Sequence, residues 1–213
     1  MLIDKYTLIK RIGNGVFGEV FLTSKQGTSI KYPTKKIEKS KYLKNPKANK
    51  YLVDEISILK DINHLNLLKI IDVKENLKYI FIITEYYNGG TLDQYLDRYQ
   101  ENNNHSLSEN IVQYIMIQII DAMKYLHNKN IVHRNLSLEN ILINYEDEKD
   151  KENENIMNCV IKIIDFGFSR YLKKGELSKS ILGIPLYMSP IIFNKLNKNL
   201  YYKDVEFDEK ENV

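Results

Sequence analysis

Gly13, Gly15 and Gly18 stand in the run Ile12-Gly13-Asn14-Gly15-Val16-Phe17-Gly18-Glu19-Val20. That spacing lets backbone amides approach phosphate oxygens with no Cβ in the way. A glycine-rich hairpin turn would account for the same pattern. A dinucleotide-binding fingerprint needs a helix to open at the third glycine, whereas Val20-Phe21-Leu22 reads as strand, and no G-K-[ST] follows for a P-loop. What remains is a strand-turn-strand flap. The four histidines (His64, His105, His127, His133) share no metal-ligand spacing, and the single cysteine, Cys159, permits neither an internal disulfide nor a thiolate cluster.

The elements that must position this flap come from periodicity. Alternation and β-forming residues predict strands over 6–12, 19–24 and 29–37, so a hairpin-led sheet comes first. Pro46 then precedes a helical segment in which Leu52, Ile56, Leu59 and Ile62 recur at helical spacing, and Glu55 falls beside that stripe, pointing toward protein. Apolar runs over 67–73 and 79–84 predict two more strands. Asn88-Gly89-Gly90 breaks the chain before a short helix from about Leu92. Residues 111–126 are apolar nearly all round, as for a helix at the centre of a lobe. Short strands over 141–143 and 160–164 flank the acidic, Lys- and Asn-rich stretch 145–158, read as a solvated loop insertion.

The chain has 213 residues, 43% of them hydrophobic and 28% charged, which is the composition of a globular protein with a core. With 31 basic and 28 acidic residues the net charge is +3, too balanced for the basic footprint of nucleic-acid binding. The N-terminal residues are too polar for a signal peptide, and the most apolar run, 111–123, is interrupted by Gln113, Gln118 and Asp121 and falls short of the about 20 residues of a membrane span. The expectation is an intracellular, cytoplasmic protein with no membrane span and no nucleic-acid partner.

In order along the chain, these motifs resemble those of the eukaryotic-type serine/threonine protein kinase family. Gly13, Gly15, Gly18 and Val20 match the flap, and Lys35 in Tyr32-Pro33-Thr34-Lys35 matches the phosphate-binding lysine. The resemblance implies that Glu55 holds Lys35 as an ion pair. It also implies that Thr84-Glu85-Tyr86-Tyr87 is the hinge, with backbone groups of Glu85 and Tyr87 meeting adenine. Asp165-Phe166-Gly167 resembles the metal-binding D-F-G, with Asn140 as second ligand, a suitable oxygen pair for Mg²⁺. The nucleotide-binding residues so implied are Ile12, Gly13, Asn14, Gly15, Val16, Phe17, Gly18, Glu19, Val20, Lys35, Glu55, Glu85, Tyr87 and Leu142. The stretch from Val112 to His127 and the run 163–168 are most similar to the UNC-51-like branch.

The catalytic loop departs from the family pattern H-R-D-L-K-x-x-N, reading His133-Arg134-Asn135-Leu136-Ser137-Leu138-Glu139-Asn140. Asn135 replaces the proton-accepting acid and cannot take a proton near neutral pH, and Ser137 replaces the lysine that would stabilise the transferring phosphoryl group. Pro33 stands where a small residue would cover adenine, and it removes a strand donor. Ile184 and Ile191 replace the threonine and glutamate usual at the end of the activation segment. Arg134 is kept, so phosphorylation of Ser178 or Ser180 is a candidate means of ordering that segment.

The fold class expected is α+β, a bilobal protein kinase-like fold with an antiparallel-sheet N-lobe and a mainly helical, C-terminally truncated C-lobe. Residues 1–87 form the N-lobe and hinge, and 88–213 a partial C-lobe in which 207–213 lead toward helices not present. The resemblance implies a kinase-like domain that binds ATP and Mg²⁺ and meets a protein substrate or partner, with transfer to protein Ser/Thr weak or lost. The alternative is a pseudokinase acting as a nucleotide-binding interaction module.

Overall fold

In the computed structural model, residues 2–15, 18–43, 45–103, 105–172 and the isolated positions 187 and 190 are described. Strands β1 (Leu2–Ile3), β2 (Tyr6–Gly15), β3 (Gly18–Lys25) and β4 (Lys31–Glu38) come first. A short helix α1 (Lys39–Leu43) leads to α2 (Pro46–Asp61), then to β5 (Ile70–Glu75) and β6 (Tyr79–Thr84). These six strands make one antiparallel sheet in the order β1-β2-β3-β4-β6-β5. The second half holds α3 (Leu92–Asn103), α4 (Glu109–Asn128), β7 (Ile131–Val132), β8 (Ile141–Tyr145), α5 (Glu148–Glu152), β9 (Cys159–Ile163) and β10 (Arg170–Tyr171). Here β8 pairs with β9 and β7 with β10, both antiparallel. An α+β arrangement results, a sheet-rich half followed by a more helical one.

Pro46 opens α2 at the position where a missing N–H costs nothing, and Asn45 Oδ1 accepts from Ala48 N at 3.2 Å to satisfy one of the orphan donors behind it. The face that α2 buries carries Leu52, Ile58 and Leu59 together with Glu55, and buried Ile62 follows just past its end, so the acid is inside as its phase predicts. The core runs on without a break from Ile37 and Ile82 in the sheet through α2 to Ile119, Ala122 and Leu126 of α4 and Ile161 and Ile163 of β9. Asn66 joins the halves, its buried amide donating to Gln118 Oε1 at 2.8 Å and Ile161 O at 3.0 Å.

Four expectations change. The strand expected over 67–73 begins at Ile70, because Leu67 and Leu68 serve the second half instead: Leu67 bridges Ile163, and Leu68 N donates to Ile163 O at 2.9 Å. Pro33 pairs with Leu22 inside a central strand, yet interrupts no ladder. The β4–β6 pairing ends at Thr34↔Ile83, and the Pro33 carbonyl, which points to the same side as its nitrogen, accepts from Thr84 Oγ1 beyond that end. The helix over 111–126 is not buried all round. Ile115, Ile119, Ala122, Met123 and Leu126 face the core, while Val112, Met116, Ile117 and Ile120 are exposed. The stretch 145–158 is not solvated throughout: Asp147 caps α5 in its exposed middle, but Tyr145 and Ile156 are buried, and Arg98 of α3 pairs with Glu154 at 2.7 Å.

Candidate functional site

A cavity of about 680 Å³ opens between the sheet and the second half. That is room for a nucleotide-sized ligand. Ile12, Val20, Pro33 and Ile82 wall it from the sheet, Leu142 and Ile164 from below, and Thr84, Glu85, Tyr86 and Tyr87 along the connecting segment. Lys35, Glu55, Asn140 and Asp165 form its polar end.

The polar end is built by elements distant in sequence. Lys35 comes from β4, Glu55 from α2, Asn140 from a single 3₁₀ turn before β8, and Asp165 from the segment after β9. Lys35 Nζ lies 2.5 Å from Glu55 Oε1 and 3.8 Å from Asp165 Oδ1. Burial raises the Glu55 carboxyl above its ordinary range, and the Lys35 ammonium opposes that rise. Glu55 Oε2 is buried with no hydrogen-bond partner among the described residues, so the pair rests on one oxygen.

Asp165 and Arg134 both adopt left-handed backbone, φ 62° and 64°, a conformation costly for side-chain-bearing residues and held here by the surrounding contacts. Asn135 Nδ2 donates to Asp165 Oδ2 at 2.9 Å, and Asn140 Nδ2 donates to Asn135 O at 2.9 Å. Fully buried His133 ties the two segments together. Its Nδ1 accepts from Asn135 N at 3.3 Å, which leaves Nε2–H to donate to Ile164 O at 3.0 Å, and burial lowers its pKa and favours this neutral form. Arg134 Nε donates to Phe168 O at 2.6 Å, its guanidinium stands 5.9 Å from the Tyr51 ring centroid, and burial pushes its pKa down to about 10.

A protein kinase domain family profile matches residues 6–207. The chain belongs to the protein kinase family. It is 35% identical over 190 residues to probable serine/threonine-protein kinase fhkE of Dictyostelium discoideum, which covers 89% of this chain and 25% of that protein. It is 37% identical over 204 residues to probable serine/threonine-protein kinase fhkA of the same organism, 94% and 32% of the two chains. Calcium-dependent protein kinase 4 of Plasmodium falciparum is 31% identical over 192 residues, 90% and 34%. The chain spans between a quarter and about a third of the length of these relatives. They support the serine/threonine kinase family, and the UNC-51-like branch does not follow from them.

Within this kinase domain the cavity gathers Ile12, Gly13, Asn14, Val20, Lys35, Glu55, Glu85, Tyr87, Leu142, Asn140 and Asp165. Val16 and Phe17 lie outside the described residues, as do Ser178, Ser180, Ile184, Ile191 and 207–213. Gly15 pairs with Gly18 at the end of the flap hairpin. Gly18 and Glu19 are not on the cavity wall: Glu19 reaches Arg11 at 3.3 Å, and a Cβ on Gly18 would meet Lys36 O at 2.2 Å, so that glycine serves strand packing. Asn135 and Ser137 are buried behind the polar end, and Ser137 Oγ has no hydrogen-bond partner among the described residues. Tyr87 takes a second role as a pin. Its hydroxyl accepts from Lys69 N at 3.2 Å, donates to Glu85 Oε2 at 3.5 Å, and is pushed up to about 12 by burial. Thr91 and Gln94, which the sequence reading passed over, also line the cavity, with Gln94 Oε1 accepting from Thr91 N at 3.1 Å. The Gly89-Gly90 break was their signal: a Cβ on Gly89 would lie 2.7 Å from Ile143, and that close approach draws the start of α3 under the cavity.

Proposed function

We propose that this kinase domain binds ATP with Mg²⁺ and transfers phosphate to protein serine or threonine weakly or not at all, in an intracellular, cytoplasmic setting. The observation that carries the binding half is the cluster of Lys35, Glu55 and Asp165 at one end of a cavity whose walls also carry the apolar Ile12, Val20, Pro33, Ile82 and Leu142. Lys35 would neutralise phosphate charge, Glu55 would hold its ammonium in place, and the flap would close over the phosphates. Nothing lies within 4 Å of a Cβ built on Gly13, so that side of the flap leaves space for a ligand. The Glu85 N–H already donates to Lys69 O at 3.0 Å, which leaves the Glu85 carbonyl and the Tyr87 N–H to meet the adenine edge.

Asp165 and Asn140 offer one carboxylate and one amide oxygen, a fitting pair for Mg²⁺ whose other ligands are phosphate oxygens and water. Bound there, the ion would supply charge neutralisation for the phosphates. On the protein side, Asn135 can orient a hydroxyl but accepts no proton, a loss of about 10²–10⁴-fold in rate. Ser137 brings no cation to the transferring group.

The alternative, a pseudokinase that uses the nucleotide-bound form as an interaction surface, is favoured by the burial of Ser137, which is 3% exposed and whose Oγ has no hydrogen-bond partner among the described residues. Purified chain tested for an ATP/Mg²⁺-dependent rise in melting temperature and for γ-phosphate transfer to a generic protein acceptor separates the readings. A shift with transfer supports a working kinase, a shift without transfer the pseudokinase, and no shift refutes nucleotide binding.

A further inference from the structure

The Asp165 carboxylate already faces a donor on each oxygen. Oδ2 accepts from the Asn135 amide at 2.9 Å; Oδ1 accepts from Gly167 N at 3.4 Å and lies 3.8 Å from Lys35 Nζ. Asn135 is itself fixed: its backbone N–H donates to His133 Nδ1 and its carbonyl accepts from Asn140 Nδ2. A carboxylate at position 135 would put a second negative charge against Asp165, a repulsion that a cation between them would relieve. The amide reverses the sign of that contact. It presents a donor to Asp165, so the negative charge is compensated by protein alone, and a metal ion reaching Oδ2 must compete with the amide N–H. No group of three or more His, Cys, Asp or Glu among the described residues offers a metal another home.

Resting on the nucleotide-binding reading above, we propose that Asn135 is a positioning residue that clamps Asp165 and makes ATP binding by this chain independent of a divalent cation. Two features act together: of positions 135 and 165 only Asp165 presents a carboxylate to the triphosphate, and that carboxylate is held by Asn135 near Lys35. The polyphosphate is then retained by Lys35 and the flap amides, with Mg²⁺ an optional companion.

The test is ATP affinity of the full chain, measured by calorimetry and thermal shift in EDTA and in Mg²⁺. The expected result is a similar affinity in both. Asn135→Asp should lose about tenfold or more in EDTA and recover in Mg²⁺, a difference set by the added charge. Asn135→Ala, which removes the clamp without adding charge, should still bind in EDTA and now tighten when Mg²⁺ is added; this second variant keeps the test decisive if the aspartate variant folds poorly. Wild-type binding seen only with Mg²⁺ overturns the inference while leaving the nucleotide-binding reading intact. An alanine variant that responds to Mg²⁺ as the wild type does overturns the clamp. Absence of binding under both conditions overturns the nucleotide-binding reading, and this inference with it.

Discussion

Lys35 Nζ reaches Glu55 Oε1 at 2.5 Å, and the carboxylate it meets is almost completely buried. The two side chains come from a strand and a helix that share one core, so the pair is at once a piece of the nucleotide site and a buried charge that needs its partner.

Lys35→Ala is therefore expected to abolish the ATP-dependent thermal shift and also to destabilise the chain, by an amount approaching the about 3–5 kcal/mol seen when one member of a buried pair is removed. The stability loss should depend on pH. Burial raises the Glu55 pKa in the folded state above its unfolded value, so its neutral form is favoured on folding. Without Lys35 that rise is larger, and the penalty is present at neutral pH and relieved as pH falls through the folded pKa. Urea denaturation of both proteins at neutral pH and near pH 5 should show the variant's deficit shrinking in acid. An equal deficit at both would mean that Glu55 is not the group responsible.

The flap glycines separate packing from binding. In Gly18→Ala the new Cβ meets backbone, Lys36 O at 2.2 Å, and β3 or β4 must shift, at a cost of about 1–3 kcal/mol typical of overpacking. Gly13→Ala meets nothing within 4 Å, so its melting temperature should stay close to wild type while ATP affinity falls. Thermal melts with and without ATP distinguish the two. A stable Gly18→Ala would show that the β3–β4 contact yields more easily than the geometry indicates.

Much of this site was legible in the sequence because it depends on local order. A flap between two strands, a lysine on the next strand and an acid on the inner phase of a helix follow periods of 2 and 3.6, and the cavity brings Lys35 and Glu55 together in keeping with those phases, while Asp165 was indicated by the resemblance of Asp165-Phe166-Gly167 alone. What was not legible depends on partners far along the chain. Leu67 and Leu68 look like strand residues until Ile163 is seen to claim them. The composition of 111–126 cannot tell which face has a neighbour, and the exposed Ile117 and buried Ile119 are chemically the same residue. Substitution of an acid by Asn135 announces a lost base, yet nothing local says that the amide turns to Asp165, thirty residues on.

Cys159 provides a test of the core's integrity. Its thiol is 1% exposed and burial pushes it up to about 12. At pH 8 the thiolate, which is the reactive form, is then scarcer by about 10³-fold than for an ordinary thiol, before any steric protection is counted. A chromogenic disulfide reagent should label the native chain negligibly and react fully, with one equivalent, once denaturant is added. Rapid labelling of the native chain would show that the β8–β9 region opens readily.

Restoring catalysis asks whether two groups account for the deficit. Asn135→Asp returns a proton acceptor but removes the donor that holds Asp165, so that variant gains a base while loosening a metal ligand. Ser137→Lys returns a cation, and from a position now buried the longer side chain must extend into the cavity to act. The gains are coupled because Asp165, relieved of the amide, needs the metal that the new carboxylate helps to hold. Phosphate transfer from γ-labelled ATP to a generic protein acceptor is thus expected to rise modestly in Asn135→Asp and by about 10²-fold or more in the double variant, in Mg²⁺ only. Failure of the double variant, with ATP binding intact, would place the defect outside the catalytic loop and rule out these two substitutions as its cause.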